Sequence, residues 1–166
     1  MKKLEVTQEN YKVLTAFENK TVIGSIVYPK WYSTNKGVIT IGEKENYALE
    51  PKGFWSTKYD LVKDNAVVLS MKSKWQGSIE LTKPIDPERP YNFKGRGLFK
   101  NGYTLTNYKG EILLEIVTNF SWKKMYPGYT ITCGDTFGND EFDRVLIMLS
   151  VHFLRAIQNQ AAAAGS

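Results

Sequence analysis

The chain of 166 residues has almost none of the residue types that build disulfide frameworks and metal centres. It contains one cysteine, Cys133, and one histidine, His152. A single cysteine excludes an internal disulfide, and one cysteine with one histidine cannot supply the soft ligands of a structural zinc site. We therefore expect no metal and no cofactor.

The sequence also lacks the usual motifs of catalysis. It has no GxSxG or HExxH sequence and no Walker or GxGxxG phosphate loop, and its "GRG" at 95–97 is typical of a strand turn. His152 lies inside an apolar run and Cys133 on a predicted strand, so both are assigned to the core. We expect a protein that is not an enzyme.

No apolar run is long enough to cross a membrane. The longest, Val145 to Leu154, would rise about 15 Å as a helix, roughly half of a bilayer's hydrocarbon core. The start "MKKLEVTQENYKV" lacks the apolar region of a signal peptide and is predicted to be the first strand of a mature, cytoplasmic chain. The net charge of +5 is compatible with anionic membranes or nucleic acid, although many proteins without such partners carry the same excess.

What the sequence does contain, between about Tyr11 and Cys133, is a series of short alternating segments. In two of them apolar residues recur at every second position, as on one face of a strand: Val67, Leu69 and Met71, and Ile112, Leu114 and Ile116. Asn101-Gly102 predicts a two-residue type I′ hairpin, and Asp64-Asn65, 35–37 and 108–110 are weaker turn signals. The proline-rich "KPIDPERP", 83–90, is interpreted as a connection because proline cannot lie within a central strand.

That segment separates two similar stretches, which begin at Tyr47 and Tyr91. Their alignment places Leu69 on Leu114 and Met71 on Ile116, and a weaker third copy precedes them. Two copies and a fragment cannot close a propeller. The total is about twelve strands followed by one helix.

The helix is apolar on every side. Asn139 or Asp140 is the predicted N-cap, and no polar stripe interrupts the turns between Val145 and Leu154. A barrel of about twelve strands has a radius of roughly 12 Å, which suits a helix packed inside it. We predict a mainly β fold: a closed antiparallel barrel of about twelve strands around a central hydrophobic C-terminal helix. The helix is expected to fill the lumen, leaving no internal ligand site.

Residues 1–160 are predicted to form this one domain. The tail 161–166 is interpreted as a tag remnant or a disordered end.

This layout, with "CGDTFGNDEFDR" before the helix "VLIMLSVHFLRAI", resembles the tubby C-terminal-like fold of tubby proteins, LURP-one-related proteins and phospholipid scramblases. The repeated "GFWSTKYDLVKDN" and "GLFKNGYTLTNYKG" units are most similar to LURP-one-related proteins. The resemblance implies a twelve-stranded barrel threaded by its last helix, and a possible calcium site in the acidic segment. Helix capping explains the same acidic residues, Asp135, Asn139, Asp140, Glu141 and Asp143, without a metal. The cysteine cluster of scramblases is absent, and the phosphoinositide-binding residues of tubby have no clear counterpart.

We predict a non-enzymatic binding module for anionic phospholipid or phosphoinositide. The alternative is a protein–protein interaction module, such as a regulator or a toxin-neutralising partner. The candidate ligand-binding residues are cations near aromatic residues, although a solvated strand face explains them as well: Lys94, Arg96, Lys123 and Lys124. Nucleic acid is not the expected partner, because most of the tryptophans Trp31, Trp55, Trp75 and Trp122 are predicted to plug the barrel.

Overall fold

The computed structural model describes residues 1–30, 36–53, 57–97, 101–119 and 126–165. These residues form twelve strands and one helix. The elements are β1 (Lys2–Asn10), β2 (Val13–Glu18), β3 (Thr21–Val27), β4 (Val38–Ile41), β5 (Glu45–Lys52), β6 (Lys58–Lys63), β7 (Ala66–Ser73), β8 (Ile79–Lys83), β9 (Asp86–Gly95), β10 (Tyr103–Thr106), β11 (Ile112–Asn119), β12 (Gly128–Cys133) and α1 (Glu141–Ala164).

The strands form one closed barrel in which each strand pairs antiparallel with its neighbours in sequence. The barrel closes where β1 pairs with β12, with Leu4 opposite Ile131. Closure leaves no unpaired sheet edge. The predicted fold class is confirmed.

The predicted alternation of side chains is confirmed for the residues that face the helix. In each of the two segments, one residue that was expected on the same face lies on the other. Leu69, Met71, Leu114 and Ile116 point inward and are buried, whereas Val67 and Ile112 are 39% and 59% exposed. On each strand the register shifts by one residue between the buried positions and the exposed one: on β7 before Leu69 and on β11 before Leu114. A β-bulge adds an unpaired residue and so reverses the face of the positions beyond it.

Two-residue turns join several hairpins. Asp64 and Asn65 both have positive φ, 51° and 63°, as the type I′ turn predicted there requires. Asn19 and Lys20 form a similar turn, with φ of 48° and 71°, which the sequence did not reveal. The Asn101-Gly102 prediction is wrong in its length, because β9 ends at Gly95 and the connection to β10 spans residues 96–102.

The interpretation of the proline-rich segment as a connection is also wrong. Pro87 and Pro90 lie within β9, and only Pro84 and Ile85 form the turn. Between the pairs Leu81–Tyr91 and Lys83–Asp86 the register is irregular, and β9 pairs with β10 only from Asn92 onward. Prolines are tolerated in a bulge because no ladder hydrogen bond is lost there.

Helix α1 runs through the barrel. Asp140 is the N-cap, and its Oδ1 accepts a hydrogen bond from the backbone N–H of Asp143 at 2.8 Å. Every residue from Val145 to Arg155 is buried, which confirms the predicted central position. The wall approaches closely at Gly24, where an added Cβ would lie 3.0 Å from Met148 Cγ. The helix continues to Ala164, so most of the predicted tail is helical.

The two ends of the barrel differ. At the end that we call the long-loop end, odd-numbered strands connect to the next even-numbered strand, through residues such as 28–37, 74–78 and 96–102. The C-terminal half of α1 reaches this end, where Arg155 donates a hydrogen bond to the Tyr11 carbonyl. At the helix-entry end, short turns alternate and residues 134–140 lead into α1.

Candidate functional site

Two of the predicted binding residues lie on the outer wall near the long-loop end. Lys94 is exposed on β9, and Arg96 follows the end of that strand. Arg96 Nη2 lies 3.2 Å from Glu115 Oε1, so its charge is already paired. Lys123 and Lys124 lie outside the described residues.

A second group of cations, not among the predicted residues, lies on β5, β6 and β7. Lys52 is the register partner of Lys58, and Lys58 is the partner of Lys72. Register partners point to the same face, and these three side chains are exposed on the outside of the barrel. We call them the lysine row. Like charges directly opposite each other on neighbouring strands destabilise a sheet, so an anion bound across the row would relieve repulsion.

The charges around the lysine row are unevenly distributed. Lys52 Nζ lies 3.7 Å from Asp60 Oδ2 and 3.9 Å from Glu50 Oε2. Glu50 and Asp60 are register partners of each other, two residues along β5 and β6 from the lysine row. Lys58 and Lys72 form no ion pair with another residue in the described part of the chain. The next register partner after Lys72 is Glu80, whose carboxylate lies 3.1 Å from Lys74 Nζ. Lys58 and Lys72 are therefore the cations of the row that are available to an external anion.

Trp75 lies in the connection between β7 and β8, three residues after Lys72 of the lysine row. Its side chain is 93% exposed, so Trp75 is not one of the tryptophans that plug the barrel. The turn is held by a hydrogen bond of 2.8 Å from the Lys74 N–H to the Ser78 carbonyl, and Gln76 and Gly77 have φ of 79° and 78°. Trp31, Trp55 and Trp122 lie outside the described residues.

The long-loop end is the more basic of the two ends. Its described cations are Lys12, Lys30, Lys36, Lys52, Lys58, Lys72, Lys74, Lys94 and Arg96. They outnumber the acidic residues of the same half of the barrel, which are Glu9, Glu50, Asp60, Glu80 and Glu115. Such an asymmetry orients a protein in the field of a charged partner.

The helix-entry end holds charges that neutralise one another. Lys63 Nζ contacts the carboxylates of Glu45 and Glu141, and Tyr47 donates a hydrogen bond to Glu141. These hydrogen bonds lower the pKa of Glu141. Burial and the neighbouring Glu141 raise the pKa of Tyr47 to about 12.

The acidic run before α1 is engaged by protein groups. Asp143 Oδ2 accepts a hydrogen bond of 2.9 Å from the Gly138 N–H, Asp135 pairs with the N-terminal amine at 2.9 Å, and Asn139 Oδ1 accepts from Lys2 Nζ at 3.2 Å. Among the residues that the structure describes, no three His, Cys, Asp or Glu side chains are grouped as metal ligands would be. The contacts are those of a capped helix start.

His152 lies on the buried part of α1, as predicted. Its Nδ1 is 2.8 Å from the Tyr28 hydroxyl, and the Arg155 guanidinium lies over the Tyr28 ring at 3.9 Å from the centroid. Burial and the charge of Arg155 lower the pKa of His152 to about 4. Cys133 is buried at the opposite, helix-entry end, so it does not form a pair with His152.

The helix does not fill the lumen completely, contrary to expectation. A cavity of about 250 Å³, which we call the mouth cavity, lies between α1 and strands β6–β8 at the long-loop end. Its lining includes Met71, Ile79, His152, Phe153 and Ile157.

An apolar strip crosses the outside of the barrel. Successive register partners on six strands form this valine row: Val13, Val27, Val38, Ala48, Val62 and Val67. Val27 and Val38 are 43% and 42% exposed and line a groove of about 520 Å³ together with Pro29 and Pro51. Lys36 and Glu50 lie at its border.

Comparison with protein-family models, with curated proteins and with solved structures gave no match. The resemblance to the tubby C-terminal-like fold therefore stays a prediction from the sequence. In the described residues no helix has the length and apolarity needed to span a membrane.

Proposed function

We propose that this protein is a binding module that attaches peripherally to anionic phospholipid surfaces through its long-loop end. The observation that supports this most directly is the lysine row, in which Lys58 and Lys72 face outward side by side with no described ion-pair partner. Phosphate and carboxylate groups of lipid headgroups are the anions that a row of exposed lysines attracts.

Trp75 supplies the second part of the proposal. An indole ring prefers the boundary between lipid headgroups and acyl chains, because it combines a large apolar surface with one N–H donor. Trp75 is 93% exposed and follows Lys72 of the lysine row by three residues, in the connection after β7. The cations would draw the protein to the surface, and Trp75 would hold it there.

The test is co-sedimentation with phosphatidylcholine vesicles and with vesicles that also carry phosphatidylserine or a phosphoinositide. Binding is expected only to the anionic vesicles, and it should fall steeply between about 0.1 M and about 0.5 M salt. Reversing the charges of the two lysines without an ion-pair partner in the described chain, with Lys58→Glu and Lys72→Glu, should weaken binding at least tenfold, since each lysine near an anionic surface contributes about 1 kcal/mol.

The matched control reverses two exposed lysines at the helix-entry end, Lys20→Glu and Lys44→Glu. This variant has the same net charge as the lysine-row variant. Equal loss of binding in both would mean that only total charge matters, and no binding by the unaltered protein would overturn the proposal.

The valine row favours a second candidate function, a protein-interaction module. The groove around Val27 and Val38 is apolar with a cation and an anion at its border, which suits an extended apolar segment of a protein partner. This second function would be favoured if the protein bound none of the vesicles and recovered one partner protein in stoichiometric amount. Val38→Asp should then abolish capture, whereas the lysine-row variant should not.

A further inference from the structure

We infer that the mouth cavity is a binding site for a small, uncharged and mostly apolar molecule that carries a carbonyl oxygen, which accepts a hydrogen bond from His152. This site lies at the mouth of the barrel and adjoins the proposed lipid-binding surface, because Gly77 and Ser78 of the connection that carries Trp75 line it. The two sites use different side chains, so each can be tested without the other.

The lining determines the charge of the ligand. Apolar groups of Met71, Ile79, Phe153 and Ile157 form most of it, and Ser73, Ser78 and Gln160 add uncharged polar groups. No Lys, Arg, Asp or Glu lines the cavity within the described chain. The nearby Arg155 lies over the Tyr28 ring and donates to the Tyr11 carbonyl, and it is not among the lining residues. A carboxylate or an ammonium group would therefore lose its hydration in the cavity without a counter-ion in the lining.

The hydrogen bond between Tyr28 and His152 determines which group is offered to the ligand. Tyr28 is 1% exposed, and its hydroxyl proton has no acceptor other than His152 Nδ1 among the described hydrogen bonds. A buried hydroxyl is rarely left without an acceptor, so Tyr28 donates and Nδ1 accepts. The neutral imidazole then carries its proton on Nε2.

His152 is therefore placed as a donor. The low pKa of about 4 keeps the ring neutral at physiological pH. His152 lines the cavity and makes no described hydrogen bond other than the one to Tyr28. The Nε2–H group can then donate to a carbonyl oxygen, which needs a donor and carries no charge.

The volume sets the size of the ligand. An apolar cavity of about 150 Å³ is known to bind benzene. By that measure the 250 Å³ of the mouth cavity accommodates roughly ten non-hydrogen atoms.

The probe is butyrophenone, a ketone of this size, compared with butylbenzene, in which a methylene replaces the carbonyl, and with phenylbutanoate, which is anionic. We expect saturable binding of butyrophenone in calorimetry, with a Kd of the order of 100 µM. Because His152 is the only histidine, its imidazole nitrogen resonances are unambiguous in NMR spectra. They should show the Nε2–H tautomer, and butyrophenone should shift the Nε2 signal whereas butylbenzene should not.

Ala156→Phe fills the cavity, because Ala156 lines it, and should weaken butyrophenone binding at least tenfold. The matched control, Ala161→Phe, makes the same change on an exposed turn of α1 outside the cavity and should bind normally. No binding, binding without a shift of the His152 signals, equal binding to the Ala156→Phe variant, or equally strong binding of phenylbutanoate would each overturn the inference. Vesicle binding by the Ala156→Phe variant should be unchanged.

Discussion

His152 is a residue whose charge state is tightly constrained by its surroundings. Burial and the nearby Arg155 lower its pKa to about 4, from an ordinary value of 6.5. The unfolded chain therefore binds a proton at a higher pH than the folded protein does. Above pH 6.5 both states are neutral at this residue, and as the pH falls from 6.5 to 4 protonation favours the unfolded state.

We predict that His152 makes the protein lose about 3 kcal/mol of unfolding free energy between pH 6.5 and pH 4. Urea denaturation across this range measures the loss. In the His152→Asn variant the amide oxygen takes the place of Nδ1 as acceptor for Tyr28 and does not titrate. This variant should lack the His152 part of the pH dependence, while carboxylates such as Asp143, whose pKa burial raises, contribute equally to both proteins.

If the variant and the unaltered protein lost stability in parallel over this range, the low pKa of His152 would be contradicted. A variant less stable at all pH values by a constant amount would not contradict it. Truncating a buried ring is expected to cost stability that does not depend on pH.

At the scale of the element, α1 provides the core that the barrel wall needs. Leu149 is fully buried in the middle of the helix, with β-strands on every side. We predict that Leu149→Asp prevents cooperative folding, because an unpaired carboxylate in an apolar interior costs a large fraction of a stability that is typically about 5–15 kcal/mol. Circular dichroism and thermal unfolding measure the effect.

Two further variants show how much of the effect of Leu149→Asp is due to the buried charge. Leu149→Ala should fold but lose about 2–5 kcal/mol, since it leaves a cavity without burying a charge. Asn159→Asp adds the same charge on an exposed turn of the helix and should change stability by less than about 0.5 kcal/mol. A Leu149→Asp protein with an unaltered melting temperature would contradict the central position of α1.

The same helix explains why the architecture was predictable. A segment with apolar residues on every side, too short to cross a bilayer, has to be enclosed by protein, and about twelve strands is the number that encloses a helix. Composition and length alone are enough to predict this arrangement. The way in which individual strands are aligned with one another does not enter.

The lysine row was not predictable in this way, because it depends on register. Continuing the Asp64-Asn65 turn without irregularity would place Lys58 opposite Met71. The bulge between Leu61 and Val62 shifts the pairing by one residue and brings Lys58 opposite Lys72. Bulges have no strong sequence signal, and the same is true of the irregularity that admits Pro87 and Pro90 into β9.

At the scale of the whole molecule, the distribution of charge is the feature that relates the fold to the proposed function. The two ends of the barrel differ in charge. The long-loop end is basic, whereas at the helix-entry end Lys63 is paired with Glu45 and Glu141. An anionic surface attracts the first end more strongly than the second, so attachment should have one orientation.

We predict that dyes attached at the two ends of the barrel will report this orientation. The single native thiol, Cys133, is buried and burial raises its pKa, so it should react slowly with thiol probes. A polarity-sensitive dye can therefore be attached at one exposed position of each end, through Thr57→Cys beside the lysine row or Lys44→Cys at the helix-entry end. On anionic vesicles the dye at position 57 should shift its emission to the blue, whereas the dye at position 44 should keep its emission in water. Equal shifts at both positions would mean that the protein attaches without a preferred end, and a shift at position 44 alone would place the binding surface at the end opposite to the lysine row.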